Sequence, residues 1–434
     1  MVFLQQSKRA DLINSNSVNK PPSDPIASKA RITVDRTTMN TLKKLYCVVL
    51  LFFAATALAD PRIQARPADY LLSGSLVLSS GQVLPAGTRW YQAPDIERLK
   101  HEVADASFRG DLTEARRIVF GYDLITNTYA TIGEGRQDGQ PPLAQGKIMN
   151  CSSCHAQGGT VPFAYAFFRT LSFFGLREQG DKGVYFEGLA YHRDARTRAR
   201  DCGRECGGPV MLTDNSYEMD GLISWLKVVR DGIYPGEGLL FDAFKHKADQ
   251  AKIPGAQIPL FPKVMEMTSD PLSGKSIYDT HCLRCHEAKG AGQWSDSRGY
   301  LVPPLAGKGS FSQAGGPLMI PVGAAFIHRN MPPDNPGLLS QQEALDVMGY
   351  VASLPRPSVW WQDYFHRHNP CARPAYLPLH VGTVPREFPF SKQQAQFGPW
   401  QAISDWLSSD ACKASNPAIP AALEWDFTTL TPIW

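Results

Sequence analysis

The sequence has little excess charge of either sign. Its 44 lysines and arginines stand against 41 aspartates and glutamates, giving a net charge of +3 with 20% of residues charged. That balance excludes a dedicated nucleic-acid binder, which needs a concentrated basic surface. Long apolar runs are also scarce. One, from Leu45 to about Ala55, falls short of the ~20 residues a comfortable membrane span requires, and no other segment is apolar enough. Nor does a βαβ pattern surround either C-x-x-C stretch, as a thiol redox motif would lead one to expect.

What the sequence does have is one motif used twice. The stretch KIMNCSSCHAQGG carries Cys151, Cys154 and His155 in the order C-x-x-C-H, and DTHCLRCHEAKG repeats it with Cys282, Cys285 and His286. Two thiols at this spacing reach the two vinyl groups of one porphyrin. The histidine that follows lies under the ring and binds the iron. A redox-active thiol pair has no need of the histidine. A structural zinc site needs four ligands, and pooling the two motifs leaves unexplained why each ends in histidine. The expectation is two covalently attached haem c groups, with His155 and His286 as proximal iron ligands.

A segment near the start reads as an export signal. MNTLKKLYCVVLLFFAATALADPR opens at Met39, places Lys43 and Lys44 before the apolar run, and closes on the small-residue pattern Ala57-Leu58-Ala59. The reading is a signal peptide over 39–59, cleaved near Ala59, and a periplasmic protein. Membrane attachment is expected only if that segment stays uncleaved. Residues 1–38 are polar and read as an upstream extension, with translation beginning at Met39. Of the nine cysteines, Cys47 leaves with the signal and four hold haem. Cys202, Cys206, Cys371 and Cys412 remain in a compartment that oxidises thiols, and a Cys371–Cys412 disulfide is expected.

The rest divides by pattern. Residues 60–117 form an N-terminal extension of short strands or loops followed by helix, with Gly110 as a break. Residues 118–232 form a first cytochrome c domain, closed by a helix whose Met219, Leu222, Ile223, Leu226 and Val229 share one face, with Asp214 or Ser216 as its cap. A linker rich in glycine and proline spans 233–269. Residues 270–357 form a second cytochrome c domain. Ser340 and Glu343 make a capping box for its closing helix, Ala344, Val347, Met348, Val351 and Leu354 its buried stripe, and Pro355 its stop. Residues 358–434 are expected to wrap over the second domain as an irregular tail. The fold class is therefore mainly α: two class I cytochrome c-like haem domains in tandem, with irregular N-terminal and C-terminal extensions.

The two irons differ in their candidate sixth ligand. In the second domain the loop before the closing helix reads Asn330-Met331-Pro332-Pro333, and prolines fix Met331 there as a soft thioether ligand that raises the potential. Met319 is the competing sulfur, and Lys308 a ligand for high pH. The first domain has no such loop. Its candidates are His192, Cys202, Cys206, Met211 and Met219. Arg193, Arg196, Arg198, Arg200 and Arg204 surround Cys202, a setting that favours thiolate and attracts a small dianion. The plainer reading is a solvated arginine face with Cys202 paired to Cys206.

From about Phe120 to Trp406 the sequence resembles the thiosulfate dehydrogenase family of dihaem cytochromes c. FGYDLITNTYATIGEG with GKIMNCSSCHAQGGTVPFA is similar to that family's approach to its first haem. RARDCGREC with DNSYEMDGLISWLKVVRDG resembles the segment whose cysteine is the distal ligand, and REFPFSKQQAQFGPWQAI its closing segment. The resemblance implies that Cys202 is the distal ligand of the first haem, that Arg198, four residues earlier, joins it in catalysis, and that Met331 is the distal ligand of the second. It implies coupling of two thiosulfate ions into tetrathionate, with electrons leaving by way of the methionine-ligated haem to a soluble cytochrome c or similar acceptor. Cys206, Arg204 and Glu205 depart from the family pattern, and residues 60–117 lie outside it. The alternative is a non-catalytic dihaem carrier serving a partner oxidoreductase, marked by His192 or a methionine at the first iron. A dihaem peroxidase, which needs an open iron position, is a third reading.

Overall fold

Two helix crossings, each closed by glycine, organise the chain. The computed structural model describes residues 62–105, 112–180, 183–186, 191–206, 212–232, 249, 252–358 and 366–418. The expected signal segment, the upstream residues and the break at Gly110 lie outside them. Helix α1 spans Ile96–Ala104, α2 Leu112–Thr126 and α3 Thr128–Ile132. Further on come α4, Ala195–Cys206, and α5, Tyr217–Asp231. Helix α2 crosses α5 at Gly121 and Gly221. A Cβ on Gly121 would lie 1.9 Å from the Gly221 carbonyl oxygen, so no side chain fits there. Ser216 caps α5 by accepting from the Met219 amide at 3.1 Å, and all five residues of the expected stripe on α5 are buried. The boundary drawn at 117 falls inside α2, because the helix that crosses α5 begins at Leu112.

The N-terminal segment completes this first core rather than extending from it. Strands β1 (Leu76–Val77) and β2 (Val83–Leu84) pair antiparallel. Behind them Tyr70, Trp90 and Tyr91 are buried against Phe168, with the Tyr91 and Phe168 ring centroids 4.6 Å apart. Buried aromatic area of this kind is worth several kcal/mol, which is why the segment folds onto the domain. Strands β3 (Val184–Phe186) and β4 (Tyr191–Arg193) form a second small antiparallel pair just before α4.

The second core repeats the plan. Helix α6 (Pro271–His281) crosses α8 (Gln341–Ser353), and α7 (Ile320–Asn330) packs against α8. A Cβ on Gly274 would lie 1.9 Å from the Asp346 carbonyl oxygen. The capping box of Ser340 and Glu343 is present. Ala344, Val347, Met348 and Val351 are buried, whereas Leu354 is half-buried because the helix ends one residue before it. Strands β5 (Gln293–Ser295) and β6 (Gly299–Val302) follow the motif as a hairpin.

Two expectations are corrected. The tail is not irregular where described: α9 (Lys392–Phe397), α10 (Gln401–Ser408) and α11 (Asp410–Ser415) carry Trp400, Ile403, Leu407 and Cys412 into the second core. These helices are only six to eight residues long, too short to persist alone, and are held by the face they bury there. Cys371 and Cys412 are disulfide-bonded, with Cα atoms 6.1 Å apart, as expected. Nor is the described part of the linker a mere spacer. Ile253 is buried in the first core, and Phe261 and Val264 in the second.

Candidate metal centres

Each C-x-x-C-H motif sits at the edge of one core, and each histidine is held the same way. The Nδ1 of His155 lies 2.5 Å from the Tyr165 carbonyl oxygen, and Nδ1 of His286 lies 2.9 Å from that of Pro303. A carbonyl only accepts, so the proton belongs on Nδ1 and Nε2 keeps its lone pair for a metal. Burial pushes the His286 imidazole below its ordinary value, which further favours the neutral ligand form. Three of the motif thiols are kept protonated. Burial raises Cys151 to about 11, Cys154 to about 12 and Cys282 to about 11. Two cysteine thiols beside an oriented imidazole, twice over, form the donor set that covalent haem requires.

The turn after His155 is built by backbone that most residues avoid. Gln157, Gly158 and Gly159 all have positive φ. A Cβ on Gly159 would meet Phe167 at 2.0 Å, and Phe167 stacks on the His155 ring at 4.2 Å. Trp225, buried on α5, donates from Nε1 to the Gly158 carbonyl at 2.8 Å and meets Tyr122 of α2 edge-on at 4.9 Å. The helix crossing and the motif are thereby locked together. In sequence, Tyr165 gives no sign of its role, because it acts through its carbonyl. Pro303 and Trp225 are visible only as a proline and a stripe neighbour.

Cys202 lies on α4, half-buried, close enough to Cys151 and Cys154 that its charge would raise both of their pKa values. The fold thus brings this distant cysteine to the first motif. Arg198 stands one turn earlier on the same helix, and i,i+4 residues share a face. The other arginines are mostly consumed. Arg193 pairs with Asp201 at 2.9 Å, both buried. Arg196 pairs with Glu178 and Asp220 at 3.0 and 2.9 Å, and Arg200 lies 3.4 Å from Asp201 and 3.6 Å from Asp214. Arg177, from the loop before β3, adds bonds to Asp194 and Asp214. Burial works to raise Asp194, but hydrogen bonds from Arg177 and Thr197 hold it down at about 2. The positive field expected of Arg193, Arg196 and Arg200 is therefore largely cancelled. Met219 is fully buried in the α5 stripe. The side chains of His192, Cys206 and Met211, and with them the expected Cys202–Cys206 pairing, lie outside the described residues.

At the second motif, Met331 caps the C-terminus of α7, its amide bonded to the Ile327 carbonyl at 2.8 Å, and a cis bond joins it to Pro332. Arg284, between the two motif cysteines, reaches Asp334 of the same loop at 2.6 Å, so motif and loop are tied. Met319 is the N-cap of α7 and Lys308 is exposed. The loop after His155 docks on this helix. The Tyr165 ring stacks on Phe326 at 4.9 Å, and the Arg329 guanidinium lies 3.5 Å over the Phe163 ring. Asn330 Nδ2 donates to the Phe163 carbonyl at 2.9 Å. Phe163 and Tyr165 both adopt positive φ, uncommon for aromatic residues.

Parts of this chain are similar to known proteins. Residues 269–351 match the family of cytochrome c oxidase, cbb3-type, subunit III. A thiosulfate dehydrogenase of Psychrobacter arcticus is 28% identical over 221 residues, covering 50% of this chain and 59% of the relative. One of Allochromatium vinosum is 37% identical over 163 residues, 37% of this chain and 53% of the relative. The chain is similar to these thiosulfate dehydrogenases. A third such enzyme, of Stutzerimonas stutzeri, is 26% identical over 276 residues, 63% of this chain and 75% of the relative. A solved thiosulfate dehydrogenase of Marichromatium purpuratum aligns with a TM-score of 0.47 at 21% identity, covering 63% of this chain and 50% of that one. The chain thus spans little more than half the length of the Psychrobacter and Allochromatium thiosulfate dehydrogenases.

Proposed function

We propose that this protein is a periplasmic dihaem cytochrome c that oxidises thiosulfate, or a related sulfur anion, to tetrathionate. The observation that carries this reading is the convergence of Cys202 with Cys151 and Cys154, on a helix whose same face bears Arg198. In the reaction two S2O3 dianions join through one new sulfur–sulfur bond and release two electrons. Bound at the two motifs, haem supplies the two one-electron acceptors this requires. Cys151, Cys154, His155 and Cys202 would hold the first haem, and Cys282, Cys285, His286 and Met331 the second. Arg198 would offset the repulsion between two dianions brought together. Tyr165 and Phe326 tie the carbonyl that orients His155 to the helix that ends at Met331, which supports electron passage from the first centre to the second and on to a soluble cytochrome c or similar acceptor. For location, the support is the segment 39–59 together with the fact that no helix among the described residues is long and apolar enough to cross a membrane.

A second reading is a non-catalytic carrier that serves a partner oxidoreductase. The pairing of Arg193, Arg196 and Arg200 with carboxylates favours it, because little unopposed positive charge is left for a dianion. One assay separates the two. The purified holoprotein is expected to reduce ferricyanide when thiosulfate is added, and the Cys202→Ser holoprotein to lose that turnover while keeping its covalent haem. Undiminished turnover in Cys202→Ser contradicts the placement of the chemistry at Cys202, and no turnover in the parent protein favours the carrier.

A further inference from the structure

We propose that Arg356 anchors a propionate carboxylate of the haem attached at Cys282 and Cys285, a role that rests on reading the second motif as a haem-attachment site. Arg356 follows α8 directly after Pro355. The chain on either side of it fastens the loop that orients His286: the Gly307 amide donates to the Pro355 carbonyl and the Gln313 amide to the Pro357 carbonyl, each at 2.8 Å. That loop begins at Pro303, whose carbonyl accepts from His286. The guanidinium lies 4.5 Å over the Phe311 ring, and Nη2 donates to the Val351 carbonyl. Nε and Nη1 are shut off from solvent and have no hydrogen-bond partner.

A guanidinium in that state lacks something. Burial pushes its pKa down to about 10, which still leaves it charged at neutral pH. Among the described residues, the titratable group that feels its charge is a histidine. His380 is held below its ordinary value by burial and then by Arg356 and Arg373. Arg373 is itself spent on backbone, donating to the carbonyls of Thr383 at 3.1 Å, Leu377 at 2.7 Å and Pro378 at 3.1 Å. No carboxylate of the described residues pairs with Arg356. A buried charge is stable only when paired, and the planar fork of arginine suits a carboxylate better than a point charge does. Haem held by Cys282, Cys285 and His286 would bring two carboxylates to this core, and Arg356 is fastened to the loop that orients that histidine. A free oxyanion offers similar chemistry and is the competing source.

The test compares Arg356→Gln and Arg356→Lys holoproteins with the parent, reading the midpoint potential of the second haem across about pH 7 to 9. That window lies above the range in which His380 takes up a proton. Haem content per chain is measured first. Loss of the second haem from the parent protein overturns the haem reading itself, and this proposal with it. With both haems present, the parent and Arg356→Lys are expected to keep a potential nearly independent of pH, since the cation holds the carboxylate ionised. In Arg356→Gln the unopposed carboxylate takes up a proton in this range, so the potential should fall as pH rises. A flat profile in Arg356→Gln overturns the proposal. So does a shift of the parent's potential on adding sulfate or thiosulfate that disappears in Arg356→Gln, because the anion is then a free one. If Arg356→Gln fails to attach haem, a potential that falls with rising pH in Arg356→Lys while the parent's stays flat contradicts the assignment equally.

Discussion

The two halves of this protein share a frame and differ in what they bring to it. Each crosses two helices at a glycine, Gly121 on Gly221 and Gly274 on Asp346. Each fastens the histidine of a C-x-x-C-H motif through Nδ1 to a backbone carbonyl. The first half then places Cys202 beside the motif, on a helix stitched to its surroundings by buried ion pairs. The second ends α7 on Met331, in a loop of prolines tied back to the motif by Arg284. A frame that does not vary and a distal side that does would give two irons of different potential from one architecture.

The frame can be broken one half at a time. Gly121→Val and Gly274→Val each force a side chain into a backbone contact where 1.9 Å is available for its Cβ. Each should cost about 3 kcal/mol or more, lowering the melting temperature of the half that carries it and the haem attached there. Equal damage to both halves from either variant contradicts two separate cores. Removing the disulfide is an effect of comparable size. Cys371→Ala with Cys412→Ala frees a crosslink spanning 41 residues, worth roughly 4 kcal/mol on chain entropy. The loss should appear in the unfolding of the second core and leave the first unchanged.

Acid sharpens the contrast. In the first half Asp194 is held at about 2, below the ~3.9 of a free aspartate. Its contribution is whole above that value and is lost as pH falls toward 2. In the second half burial raises the carboxyl of Asp346, so the folded state there holds its proton more tightly and gains as pH falls. The second half's depressed carboxylates, Asp270, Asp334 and Glu343, lie at the surface, where solvent screens them. Unfolding followed between about pH 5 and 2 should therefore show the first half failing before the second. The reverse order contradicts the assignment of the ion-pair cluster as structural.

Much of this was legible in sequence for a physical reason. The motifs, the stripes of α5 and α8, the Ser340–Glu343 box and the Cys371–Cys412 pairing are local or compositional signals, and each appears where expected. What was hidden acts at long range. Tyr165 and Pro303 work through carbonyls, which every residue has. The carboxylates that neutralise Arg193 and Arg200 look like ordinary surface charge in sequence. The aromatics of the tail and of the segment before residue 112 stand outside the helical stripes, Trp400 at the cap of α10 and Trp90 and Tyr91 ahead of α1, yet all three are completely buried. Even the cysteine beside the first motif was separated from its arginine field only by the fold, which spends most of that field on ion pairs.

The central claim is that Cys202 serves the first iron and Met331 the second. Electron paramagnetic resonance of the ferric holoprotein, with Cys202→Ser and Met331→Gly beside it, tests that claim most directly. The account predicts two low-spin signals, one with the narrow g-spread of thiolate ligation. Cys202→Ser should erase the narrow signal alone, and Met331→Gly should alter only the other, with both haems still attached. A narrow signal that survives Cys202→Ser, or one that was never present in the parent protein, contradicts it.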